Sequence, residues 1–151
     1  MAGQASATVV WENLAAIWAR CLPNSKRRAV WVCAPDAWTE IASMALSVGS
    51  GGGPVWSATG DLQLFGRPVL EHDCLPALGS PGDVNLIDFS AYLIQDHGTL
   101  QADSSPHPRF NLDMTSYRLR SRVDGRMALQ SAVQARNNIA TLSTVVQIAQ
   151  R

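Results

Sequence analysis

Lysine is nearly absent from this chain: Lys26 is the only one, so eleven of the twelve basic residues are arginine. Charge of any kind is scarce, at 16% of 151 residues against the usual ~25% of a globular chain. Twelve basic residues balance twelve acidic ones, and a net charge of zero argues against a free-standing nucleic-acid binder, which normally carries a basic excess. Cysteine is limited to Cys21, Cys33 and Cys74, without a CxxC pair, so a disulfide framework is excluded and reduced thiols are expected. Uninterrupted apolar runs such as Leu14–Ala19 and Ala29–Ala34 fall far short of the ~20 residues that span a bilayer. No basic-then-apolar leader and no Asn-x-Ser/Thr sequon occur, and the reading is of a soluble protein of intracellular origin. Hydrophobic residues make up 46%, enough to bury a core and to exclude wholesale disorder.

The neutral total hides an asymmetry. Residues 61–103 hold Arg67 alone against seven acids, a balance of −6, whereas residues 109–136 hold six arginines against Asp113 and Asp124, a balance of +4. Arginine is weakly hydrated and forks two donors toward a carboxylate, which suits interfaces better than lysine does.

Hydrophobic spacing predicts a helix over residues 8–21, with Val10, Leu14, Ile17, Trp18 and Cys21 on one stripe. The apolar run Ala29–Cys33 predicts a strand buried on both faces. Pro35 and Asp36 then open a second helix, with Asp36 as N-cap and Trp38, Ile41, Ala45 and Val48 inward. Gly49–Pro54 is a loop that no regular element can cross, and Lys26-Arg27-Arg28 is an exposed basic cluster. Short strands are expected at Leu62–Phe65, Val69–Leu70, Val84–Ile87 and Thr144–Ile148. Ala91–Ile94 and Thr99–Ala102 are expected to pair as a hairpin about Asp96-His97-Gly98. Tyr117, Leu119, Ser121 and Val123 alternate with Arg118, Arg120 and Arg122, which puts the arginines on one strand face. Asp124-Gly125 then reads as the turn into a return strand that begins at Arg126.

Candidate chemistry is sparse. The glycine loop lacks the Gly-Lys-Ser/Thr ending of a phosphate cradle. Glu71-His72-Asp73-Cys74 gathers titratable groups, but no second ligand pair stands nearby in sequence. No GxSxG elbow, HExxH or paired-carboxylate motif occurs, so no catalytic, cofactor or metal residue is assigned. The arginine ladder is either a solvated face or a surface for carboxylates or phosphate, and the acidic stretch 61–103 offers partners within the chain or on another copy. Trp18, Trp31 and Trp38 fall on faces expected to be buried. Trp11 and Trp56 do not, and exposed indoles would mark subunit contact.

Taken in order, these segments resemble the major capsid proteins of tailed bacteriophages with the Hong Kong 97-type fold. The resemblance is carried by Thr8–Leu14, Arg28-Ala29-Val30-Trp31-Val32-Cys33-Ala34-Pro35-Asp36 and Leu64-Phe65-Gly66-Arg67-Pro68-Val69. It continues through Pro76–Val84 with Asp88-Phe89-Ser90 and Tyr92-Leu93-Ile94, and ends at Arg120–Gly125. No single piece is specific, but their order spans nearly the whole chain.

The resemblance implies an α+β fold, a Hong Kong 97-type capsid fold fragment. Residues 1–105 would be an axial-domain sheet flanked by helices. Residues 106–134 would supply a peripheral-domain β-hairpin, and 135–151 would return to the axial domain. It further implies a non-enzymatic capsid subunit without cofactor, built into pentamers and hexamers in a virion assembled in the bacterial host cytoplasm. Its partners would be other copies of itself, with a weak contact to packaged DNA. Gly51, Gly52, Gly53, Arg118, Arg120 and Arg122 are the candidate interface residues. The family's N-terminal arm, extended loop and spine helix have no counterpart here, so a C-terminal fragment is expected, forming monomers or small oligomers rather than shells. Crosslinking is not supported, since Lys26 lies on no extended loop and Thr115-Ser116-Tyr117 offers no asparagine. Two alternatives stay open: a small α/β ligand-binding or hydrolytic domain using His72, Cys74 or the glycine loop, and the shell of a cellular nanocompartment.

Overall fold

In the computed structural model, which describes residues 7–47, 55–56, 62–136 and 140–150, the chain is mixed α+β. Its elements run α1 (Trp11–Arg20), β1 (Val30–Cys33), α2 (Pro35–Ser47), β2 (Val55–Trp56), β3 (Leu62–Leu64), β4 (Arg67–Glu71) and β5 (Val84–Ile87). There follow β6 (Tyr92–Asp96), β7 (Gln101–Ser105), β8 (Ser116–Arg120) and β9 (Val123–Met127). β10 (Val133–Gln134), β11 (Thr141–Leu142) and β12 (Val145–Gln147) complete the chain. Contacts divide it into two units, residues 1–91 with 129–151, and residues 92–128.

The first unit is built on a six-stranded sheet in the order β12-β5-β1-β4-β3-β2. β1 is central, antiparallel to β5 and parallel to β4, and the parallel pairing needs the long crossover that contains α2. β3 and β4 form a tight hairpin through Phe65-Gly66, whose φ angles of 51° and 70° are the paired positive values of a two-residue primed turn. Gly66 takes that angle freely. Phe65 does so against its side chain's preference, and its ring packs 4.8 Å from Trp11 and 5.3 Å from Trp18.

Helix α1 presents Leu14 and Ile17 to the core, with Glu12 in its first turn and Arg20 in its last, both favourable to the helix dipole. Two sequence expectations are corrected here. Asp36 is not the N-cap, because the helix already includes Pro35, whose missing N–H is harmless at that position. β1 is not buried on both faces: Trp31 and Cys33 are buried while Val30 and Val32 are half-buried, the alternation of a strand packed on one side.

Trp31 anchors the core. It is fully buried with Leu14, Ile41, Leu64 and Leu86, and its indole Nε1–H donates to the Leu64 carbonyl at 3.2 Å. Cys21 and Cys33 are buried too; burial pushes the Cys33 thiol up to about 12, with Glu71 and Asp83 adding to it, and raises Cys21 as well. A buried, undissociated thiol is a poor nucleophile. Native chain is therefore expected to release one equivalent with a thiol-reactive chromophore, from exposed Cys74, and three in denaturant. Fast reaction of more than one thiol in the native state would contradict this packing.

Asp88 fastens the last turn before β6. Its Oδ1 accepts from the Ser90 N–H at 3.1 Å and the Ser90 hydroxyl at 2.6 Å, and its Oδ2 faces Arg28 Nη2 at 3.6 Å. Its own N–H donates to the Thr144 carbonyl at 3.0 Å. Burial by itself would raise this carboxyl, but hydrogen bonds from Ser90 and Ser25 and the Arg28 charge together hold it below its ordinary 3.8. A depressed folded value means the stabilisation is fully present above the unfolded value and is lost as pH falls through the folded one. Asp88→Asn is expected to cost about 2–4 kcal/mol at pH 7 and to flatten the acid limb of a stability–pH curve below pH ~4. An unchanged acid limb would show that Asp88 carries none of it.

The second unit is a two-stranded ribbon. β6 pairs with β9 and β7 with β8, both antiparallel, so residues 92–105 run against 116–127. This overturns both expected hairpins. Around His97-Gly98 the chain does not reverse; residues 97–100 face only residues 121–122, a bulge bridged by the His97 N–H donating to the Arg122 carbonyl at 2.9 Å. Asp124-Gly125 lies inside β9, where Ile94 pairs with Gly125 and Gln95 with Asp124. A Cβ at Gly125 would stand 2.5–2.8 Å from the outer end of the Tyr92 side chain, so any larger residue there displaces the tyrosine. The true reversal is the 3-10 stretch His107–Leu112, entered from Pro106 and left through Asp113 at φ 51°.

Candidate subunit interface

Period-2 alternation gives the ribbon two chemically different faces in its β7–β8 half. On one, Arg118 is paired with Asp103 and Arg120 with Gln101. Asp103 Oδ2 accepts from Arg118 Nη2 at 2.9 Å and from Arg120 Nη2 at 3.4 Å. The Arg118 hydrogen bond, with the charge of both arginines, holds the Asp103 carboxyl below its ordinary range. One carboxylate thus serves two guanidinium groups, and the acidic stretch supplies a partner within the chain, in line with the sequence expectation. Arg122 lies past the end of β8, where it lines a cavity of about 220 Å³ with Arg120, His97, Thr99 and Gln101. The face therefore carries an excess of donors over acceptors, suited to carboxylates or phosphate.

The opposite face carries Tyr117 and Leu119, exposed by 80% and 68%. Leu93, Ile94, Phe110 and Leu112 are also exposed, and no residue from Tyr92 to Ala128 is buried. An isolated two-stranded ribbon is marginal in water, and exposed apolar patches of this kind mark surfaces meant for a partner.

A model described as the phage capsid family matches residues 2–138. The chain belongs to the phage capsid family. A solved chain from the capsid of an empty GTA particle, computed with C5 symmetry, superposes with a TM-score of 0.52 at 17% identity. That match covers 84% of this chain and 44% of the other, so this family member spans about half the length of that structural neighbour. At that identity the likeness is one of fold. No curated protein matches.

Of the interface residues expected from the sequence of this family member, Arg118 and Arg120 come together at Asp103, and Arg122 is set apart at the bulge. Gly51, Gly52 and Gly53 lie outside the described residues, as does the side chain of Trp56. Trp11 is not a free indole: it is partly buried against the core, with its ring tilted at 31° against Phe65. What sequence reasoning missed is the exposed apolar face. Its signal, Tyr117 and Leu119 alternating with arginines, is the same signal that a core-facing strand gives. His72, Asp73 and Cys74 bring three donor atoms within 4.8 Å of one another, all exposed. The His72 Nδ1 lone pair accepts the Cys74 N–H at 3.1 Å, so that nitrogen is already engaged by the backbone. Among the described residues, no helix is long and apolar enough to cross a membrane.

Proposed function

We propose that this chain is part of the structural subunit of a phage or prophage icosahedral capsid and acts by self-association into pentamers and hexamers. The role is non-catalytic. Its partners are other copies of the chain, its place is the virion shell, and assembly takes place in the bacterial host cytoplasm. The observation that carries this reading is the ribbon of residues 92–128, which has no buried residue of its own yet displays large apolar side chains beside an arginine face. Family membership supports it independently. In this reading the first unit holds the axial part. The peripheral part expected at 106–134 extends back to Tyr92, because β6 and β7 supply the partner strands of β9 and β8. Arginine-to-carboxylate contacts between copies fix register and orientation more than they add affinity.

Expression of the reading frame that carries this chain, followed by electron microscopy of the purified product, tests the proposal. Capsomers or closed shells are the expected result. A product that stays monomeric under every assembly condition overturns it.

A further inference from the structure

The basic run Lys26-Arg27-Arg28 is not absorbed by the ribbon interface, since it belongs to the first unit. It follows α1 in a short 3-10 turn, Ser25–Arg27, that is fixed from several sides. The Leu22 N–H donates to the Ser143 carbonyl at 3.0 Å, and the Ala29 N–H to the Ser25 carbonyl at 2.8 Å. Arg28 is held by buried Asp88 while its own side chain stays 62% exposed. Arg67 arrives from the start of β4; its Nη1 donates to the Arg27 carbonyl and its Nε to the Gly66 carbonyl at 2.8 Å. Lys26 Nζ stands 5.3 Å over the Trp18 ring, which stacks on Phe65. Arg27 makes no salt bridge among the described residues.

Four cations thus belong to this turn and its neighbour strand, and one of them, Arg28, is paired with a carboxylate. Two of them, Arg27 and Arg28, line a cleft of about 610 Å³ together with Pro23 and Asn24. We propose that this cleft binds the phosphodiester backbone of nucleic acid, without sequence preference. Two guanidinium groups and the Asn24 amide supply donors for phosphate oxygens, while Lys26, next in sequence to Arg27, and Arg67, bonded to the Arg27 carbonyl, add positive charge nearby. The aromatic surface under Lys26 adds the interleaving of cations and rings common at single strands. A protein ligand is disfavoured because the lining offers no large apolar pocket for the anchor that protein interfaces need. Zero net charge does not oppose this, since the contact depends on local density and not on the sum.

The site rests on the first unit's own geometry, so it can stand or fall apart from assembly. The test uses the full chain and a fluorescein-labelled 20-nucleotide single strand, followed by anisotropy at several salt concentrations. Binding is expected to weaken with salt, with a log–log slope of about −2 to −3 for three to four phosphate contacts. Arg27→Glu, at an exposed position, is expected to weaken binding at least about tenfold and to reduce the slope by roughly one. Arg109→Glu, at an exposed arginine in the ribbon's reversal, is expected to change neither. Because Lys26 is the only lysine, an amine-reactive reagent reads the site directly, and saturating oligonucleotide is expected to slow its modification about fivefold or more relative to the N-terminal amine. Binding lost with Arg109→Glu and kept with Arg27→Glu overturns the proposal, as does unprotected Lys26. Polyglutamate competing as well as the oligonucleotide also overturns it, pointing to a protein carboxylate instead. Inorganic phosphate at equal ionic strength is expected to compete poorly; full competition reduces the site to a single-phosphate pocket and rejects the backbone track.

Discussion

Trp31→Ala is expected to remove most of the stability of the first unit. Trp31 has no exposure to water and belongs with Leu14 of α1, Ile41 of α2 and Leu64 of β3 to one core cluster. Truncating a buried tryptophan costs about 3–5 kcal/mol through lost burial and the cavity left behind. A second cost comes from the Leu64 carbonyl, which loses its indole donor at 3.2 Å in a place water does not reach. An orphaned buried acceptor adds about 1–3 kcal/mol. Native domains hold only about 5–15 kcal/mol in total, so the melting temperature is expected to fall by 10 °C or more, on the scale of about 2–4 °C per kcal/mol for this size. Trp31→Phe separates the two terms, since it keeps most of the volume and loses the N–H. Thermal unfolding followed by near-ultraviolet circular dichroism measures both. A Trp31→Ala chain melting within 3 °C of wild type would show that this cluster is not the core.

Much of the first unit was legible because its signals are local. The α1 stripe, the apolar run of β1 and the Pro35 start of α2 each carry their own periodicity or punctuation, and each formed within three residues of where it was read. Leu62–Phe65 was read as one strand, but Phe65 leaves it to make the two-residue turn with Gly66, and Arg67 and Pro68 already belong to β4. The ribbon was misread because its pairings are non-local. Nothing near Tyr92 signals that its strand partner is Met127. His97-Gly98 and Asp124-Gly125 have the composition of hairpin turns, yet the first became a bulge and the second a strand position beneath a tyrosine ring. The real reversal, His107–Leu112, contains no glycine. The arginine face was legible from alternation, whereas its partner Asp103 was visible only as part of an acidic stretch. Lys26-Arg27-Arg28 was seen as an exposed run, but the groups that hold it, Arg67 on the Arg27 carbonyl and Asp88 beside Arg28, lie forty and sixty residues away.

Tyr117→Ser combined with Leu119→Thr is expected to leave the monomer nearly unchanged and to abolish assembly. Both side chains are exposed, at 80% and 68%, and both lie in β8 on the face away from Asp103. Surface replacements of this kind usually shift stability by no more than about 0.5 kcal/mol, so circular dichroism and melting temperature should match wild type. At an interface the same side chains act differently. A buried tyrosine or a well-packed aliphatic anchor is typically worth 2 kcal/mol or more when truncated, about thirtyfold in association for each contact. A closed shell repeats that loss at every equivalent contact, so the concentration needed for assembly rises beyond practical range. Light scattering and electron microscopy of the variant reading frame, against wild type at equal concentration, give the measurement. Arg118→Gln with Arg120→Gln offers the contrast: it removes charge and keeps the apolar face, so slower and more salt-tolerant assembly is expected rather than none. If the polar variant of Tyr117 and Leu119 assembles normally while the arginine variant fails, the working surface is the charged face, and the apolar one is incidental to assembly.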